Sequence, residues 1–185
     1  DVNTSALTVS IDPLKPTQDT TPDISGKTAV GATVTVEVKD STGKVVATGP
    51  ATVDSNGNWT FTPNKPLTDG SYTIDATAKD AAGNPATATD KGLAVDTQAP
   101  TISINPLAPT NDNTPTLSGK AEADSIITIY DGNTVLGTAL ANGVGDWSFT
   151  PTAPLKDGSH SLTTTVTDGG GNTSAKSPPF NLTVD

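Results

Sequence analysis

The sequence contains one unit twice, and this repeat constrains the fold more than any other feature. Val9–Lys27 (VSIDPLKPTQDTTPDISGK) matches Ile102–Lys120 (ISINPLAPTNDNTPTLSGK) with twelve identities in nineteen positions. NWTFTP at Asn58–Pro63 returns as DWSFTP at Asp146–Pro151, and PLTDGS at Pro66–Ser71 returns as PLKDGS at Pro154–Ser159. The offset between the copies falls from 93 to 88 along the way, so the second copy is five residues shorter in the intervening hairpin. Asp80, Gly83 and Asn84 then align with Asp168, Gly171 and Asn172, and LAVD ending at Asp96 aligns with LTVD ending at Asp185. Solenoid units run to about 20–50 residues, whereas this period is nearly twice that, which predicts independently folded modules. The expected domains are residues 1–96 and 97–185. The junction Asp96-Thr97-Gln98-Ala99-Pro100 has a proline and no glycine, so it reads as a stiff linker.

Within each copy apolar residues alternate with polar ones at the period of a half-buried strand. Val34, Val36 and Val38 share one face, and Tyr72, Ile74, Ala76 and Ala78 share another. Turn clusters such as Ser41-Thr42-Gly43, Ser55-Asn56-Gly57-Asn58 and Ala82-Gly83-Asn84-Pro85 separate the runs. Strands are expected to start near Leu7, Asp23, Thr33, Lys44, Trp59, Tyr72 and Ala86. Seven short strands in about ninety residues predict an all-β fold: two tandem immunoglobulin-like, seven-stranded antiparallel sandwiches arranged end to end.

Composition then excludes whole classes of function. There is no Cys, so neither disulfides nor thiolate chemistry are available. Only 32% of residues are hydrophobic, which leaves each module a thin core. The formal charge is −10, and all ten basic residues are Lys, so there is no basic stripe for nucleic acid. No apolar run approaches the about 20 residues that span a bilayer, and no signal peptide opens the chain. The sequence reads as an internal piece of something longer. One His serves two near-identical copies, so a Ser-His-Asp arrangement is not expected, and no enzymatic role is predicted.

The ordered motifs TNDNTPTLSGKAEADS, DWSFTP, PLKDGSHSL, VTDGGGN and VDTQAP resemble the bacterial Ig-like repeats that fill the stalks of giant, type I-secreted RTX and biofilm adhesins of Gram-negative bacteria. The resemblance covers both copies nearly end to end. It implies an extracellular, cell-surface location, extender modules that project a distal adhesive domain, and calcium bound at the joints between domains. Its partners would be neighbouring repeats of the same chain and calcium ions, in a monomer with no nucleic acid and no direct membrane insertion. The first copy departs from the pattern, with Ala29 and Val30 where the second has Glu122 and Ala123.

The residues lead to the same ion separately. Calcium takes about 6–8 oxygen ligands, and this chain offers eighteen Asp and two Glu. Alternating strand direction puts Asp19, Asp69 and Asp96 at the pole where the chain leaves the first copy. It puts Glu122, Asp124, Asp168 and Asn172 at the pole where the chain enters the second. Several anions held together there favour a divalent cation, with Lys120 and Lys156 as the obvious counterions. The candidate ligands are Asp19, Asp69, Asp96, Glu122 and Asp168.

Ordinary roles compete with each of these assignments. Asp69-Gly70 and Asp157-Gly158 are turn formers, and Asp80 and Asp168 fit Asx turns. Trp59 and Trp147 share a face with Phe61 and Phe149, which favours core packing over a sugar platform. His160 stands where the first copy has Tyr72, at the corner position where such folds keep a Tyr, and reads as its structural substitute. Besides the spacer reading, a module recognising a glycan or host protein, or one appended to an enzyme, remains open.

Overall fold

The computed structural model describes residues 6–185, and all regular elements among them are β-strands. The chain divides into two compact units, residues 1–97 and 98–185. Thr97 goes with the first unit because its amide and hydroxyl both donate to Asp69 Oδ1, at 3.2 and 3.0 Å.

The first unit runs β1 (Val9–Ile11), β2 (Ile24–Thr28), β3 (Thr33–Lys39), β4 (Val45–Pro50), β5 (Thr52–Val53), β6 (Asn58–Phe61), β7 (Gly70–Lys79) and β8 (Pro85–Val95). Two antiparallel sheets, β1-β2-β6-β5 and β4-β3-β7-β8, enclose its core. The seven expected strands lie within two residues of their expected starts, but the fourth is divided. β4 follows β3 as far as the pair Thr35–Pro50. Ala51 N–H still donates to Val34 O at 2.8 Å, and the chain then steps to the other sheet, where Thr52 and Val53 pair with β6. The alternation in sequence becomes the inner face: Val34, Val36, Val38, Ile74, Ala76 and Ala78 are at most 1% exposed. Each such Val or Ile contributes about 1.5–3 kcal/mol of burial, which a thin core needs from nearly every inward position.

The second unit runs β9 (Ile102–Ile104), β10 (Leu117–Ala121), β11 (Ile126–Asp131), β12 (Thr134–Leu140), β13 (Asp146–Phe149), β14 (Gly158–Thr167) and β15 (Phe180–Val184). Its sheets are β9-β10-β13 and β12-β11-β14-β15. The five-residue loss falls in the β11–β12 hairpin, where Gly132-Asn133 replaces the longer Asp40–Lys44 turn. β15 is shorter than β8 because Pro178-Pro179 interrupts it. Upstream of that break the hydroxyls of Ser174 and Ser177 accept the N–H groups of Val166 and Thr164, each at 3.0 Å.

Alternating strands sort the connections of each unit to two poles. At the N-terminal pole of the first unit the β2–β3 and β5–β6 turns are joined by Thr28 N–H donating to Gly57 O at 2.8 Å; Ala121 N–H to Gly145 O, also 2.8 Å, does this in the second. At the C-terminal poles Leu67 N–H donates to Thr20 O and Leu155 N–H to Asn113 O, both at 2.7 Å. Asp96 N–H to Thr17 O and Asp185 N–H to Thr110 O, each 3.0 Å, fasten the last strand of each unit beside its β1–β2-type connection.

Candidate metal centre

Five hairpin loops share one construction, of which sequence inspection resolves the turn clusters and the Asx turns of Asp80 and Asp168. They begin at Asp40, Asp54, Asp80, Asn142 and Asp168, with Gly three residues on, at Gly43, Gly57, Gly83, Gly145 and Gly171. Each of these glycines has φ between 79° and 91°, the left-handed region where a Cβ is strained. The first residue's Oδ1 accepts the N–H of the fifth, at 2.9–3.1 Å, in every case. The glycine N–H in turn donates to the first residue's carbonyl, giving a tight turn with one left-handed residue. In the first unit these donors hold the carboxyls below their ordinary 3.8. The Thr42 hydroxyl is the largest cause for Asp40, and the side-chain amides of Asn58 and Asn84 are the largest for Asp54 and Asp80. The signal in sequence is an Asp or Asn followed by Gly at the third position after it.

Asp168 is therefore a turn residue as well as a candidate ligand. It is 7% exposed, and its Oδ2 accepts the side-chain amide of Asn172 at 2.9 Å. Glu122, at the end of β10, brings a carboxylate oxygen within 4.8 Å of one from Asp168. Calcium–oxygen distances are about 2.3–2.6 Å, so two oxygens of one ion stand at most about twice that apart, and this pair fits. Glu122 O accepts the Ser125 hydroxyl at 2.6 Å, which braces the β10–β11 turn. Inside that turn Asp124 has φ 61°, at the position where the first unit has Gly31 at φ 83°.

At the C-terminal pole of the first unit the carboxylates of Asp19 and Asp69 each have a definite local task. Asp19 Oδ1 accepts the amide of Thr21 at 2.8 Å and its hydroxyl at 3.3 Å, and Asp112 repeats this with Thr114. Asp69 holds Thr97 through both oxygens, the Thr97 hydroxyl lying 3.0 and 3.2 Å from them, and so directs the chain into the linker. Asp96, half-buried, is anchored through its amide.

The two expected counterions differ in their placement. Lys120 sits opposite Asp146 across β10 and β13 and pairs with it at 2.6 Å. Lys156 lies in the β13–β14 connection, at the other pole of the second unit from Glu122 and Asp168, because strand direction reverses between them.

The aromatic and imidazole groups serve the scaffold. Trp59 and Trp147 are 0% and 3% exposed, in the cores of their units. The hollow at the N-terminal pole of the first unit is lined by Leu7, Ala29, Val30 and Ala32 among others, without an aromatic ring. The half-buried Tyr130 has Lys176 Nζ 4.3 Å from its ring centroid. Tyr72 donates its hydroxyl to Thr68 O at 2.6 Å, and His160 Nε2 reaches Lys156 O at 2.8 Å at the same corner of the second unit. No helix among the described residues is long and apolar enough to cross a membrane.

Comparison with known proteins gives the fold its family. A solved structure described as a tetra-tandem repeat in the extending region of a large adhesion protein shares 31% identity, covering 97% of this chain and 49% of its own, with a TM-score of 0.42. The BSP domain of a biofilm-associated protein shares 27%, covering 96% and 30%, with a TM-score of 0.35. The FN1–FN3 domains of chicken CNTN1 share 10%, covering 96% and 67%, with a TM-score of 0.50. This chain thus spans about half or less of the two adhesion-related chains it matches. No curated protein matches the sequence. The model of the bacterial Ig-like domain matches twice, over residues 5–97 and 108–185, and the chain belongs to that family as two consecutive copies.

Proposed function

We propose that the two units are non-catalytic spacer modules in the extracellular stalk of a cell-surface adhesin, and that calcium at their joint holds successive modules in a fixed orientation. The observation that carries the reading is the approach of Glu122 and Asp168 at the pole where the chain enters the second unit. Asp96 supplies a third carboxylate, two residues ahead of the first residue of that unit. The resemblance to an adhesin extending region supports the spacer role. Burial of both Trp rings removes the motive for a sugar-binding platform.

The mechanism is electrostatic. Without an ion, carboxylates brought together repel; a shared calcium replaces that repulsion with several charge-assisted contacts and selects one inter-module angle. Calorimetric titration of the 185-residue chain, with small-angle scattering in calcium and in chelator, tests this. Asp96→Ala is expected to weaken binding and to broaden the distance distribution in calcium towards that seen in chelator. Glu37→Gln, on an outer strand face and paired with Lys39 at 3.2 Å, is the charge-matched control and changes neither. Full calcium affinity and an unchanged envelope in Asp96→Ala would sink the joint site.

A further inference from the structure

The corner of the second unit differs from that of the first in the kind of group that ties it. In the first, the Tyr72 hydroxyl needs one acceptor, Thr68 O, and finds it at 2.6 Å. In the second, His160 offers two ring nitrogens and each faces an acceptor: Nε2 lies 2.8 Å from Lys156 O and Nδ1 2.6 Å from Asp131 Oδ2. A neutral imidazole has one N–H, so it satisfies one contact and sets a lone pair against an oxygen in the other. An imidazolium donates to both. The ring side chain is 13% exposed and that of Asp131 28%, so water replaces a lost contact only in part.

We propose that the second unit carries an acid-held clamp. Protonated His160 ties the β13–β14 connection to the β11–β12 hairpin, and the clamp opens when the ring loses its proton. The first unit, with Tyr72 in the same place, has no such dependence.

The surroundings favour the charged ring. Asp131, at the end of β11, is the carboxylate that meets it. Strand β15 brings Leu182 opposite His160 and no titratable group within Phe180–Val184. The β13–β14 connection carries Lys156 and Asp157, and the β9–β10 connection, joined to it through Leu155 N–H and Asn113 O, carries Asp112. Lys176 lies over Tyr130, the neighbour of Asp131. The carbonyl of Lys156 and then the Asp131 carboxylate raise the His160 pKa above its ordinary 6.5, against a smaller opposing effect of burial. A folded pKa above the unfolded value means stability fully present below 6.5 and lost as pH rises through the folded pKa.

His160 is the chain's one His, so a single imidazole resonance reports it in the intact 185-residue protein. Its titration midpoint is expected above 6.5 and falls in Asp131→Asn. Opening of β14, read by hydrogen exchange corrected for intrinsic rates, is expected to increase with pH across the midpoint, by at most about tenfold per pH unit for one proton. His160→Tyr should remove that slope, and β7 in the first unit should lack it throughout. A midpoint at or below 6.5, a midpoint unmoved by Asp131→Asn, or an equal slope in His160→Tyr would overturn the clamp.

Discussion

Glu122 and Asp168 bring carboxylate oxygens within 4.8 Å of each other from different sheets of the sandwich, Glu122 following β10 and Asp168 following β14. The double substitution Glu122→Gln, Asp168→Asn removes both charges without undoing the turn, because Asn142 already opens the same kind of loop. Calcium at a hundredfold excess over its Kd should stabilise the parent chain by about 2.7 kcal/mol. The double variant should melt alike in calcium and in chelator. A retained calcium shift would show that the ion binds elsewhere.

Thr164 is 1% exposed and its hydroxyl has no hydrogen-bond partner among the described residues, at a position where the first unit carries Ala76. A buried unsatisfied hydroxyl costs about 1–3 kcal/mol, so the nearly isosteric Thr164→Val should stabilise the second unit by about 1 kcal/mol. Exchange of the β14 amides should slow about fivefold. Faster exchange would mean that the hydroxyl is satisfied in solution.

Gly57 and Gly83 have nearly the same backbone, φ 79° and 85°, but different neighbours. A Cβ on Gly57 would lie 2.3 Å from Thr28 O, whereas one on Gly83 meets nothing within 4 Å. Gly83→Ala should cost only the left-handed penalty of about 1–2 kcal/mol. Gly57→Ala must in addition push apart the β2–β3 and β5–β6 turns, so its denaturation midpoint should fall further. Equal losses would show that the turns separate freely.

The depressed carboxyls of Asp54 and Asp80 give the first unit a defined acid limb. A folded pKa below the unfolded 3.8 gives stability that is present above 3.8 and lost as pH falls through the folded value. The double variant Asp54→Asn, Asp80→Asn should therefore be less stable than the parent at neutral pH. That difference should vanish in strong acid, as read from urea midpoints of the first unit. A gap that persists there would assign the loss to turn geometry and not to charge.

What the sequence determined by itself is local or repeated. The two-residue alternation of Val34, Val36 and Val38 defines a buried face from neighbouring residues alone, and turn residues mark where each strand ends. Comparing the copies then placed the shortened hairpin, and it set His160 in the role of Tyr72. Tertiary structure decided what depends on two sheets closing over one core. It divided the fourth strand of the first unit at Pro50, gave Asp69 to Thr97, and turned Lys120 to Asp146. It also left the Trp147 indole N–H without a partner among the described residues, although Trp59 donates the same group to Ser10 O at 3.1 Å. Nothing adjacent in the chain encodes these outcomes, because each rests on ångström-scale placement of residues far apart in sequence, and two units with the same pattern resolve it differently.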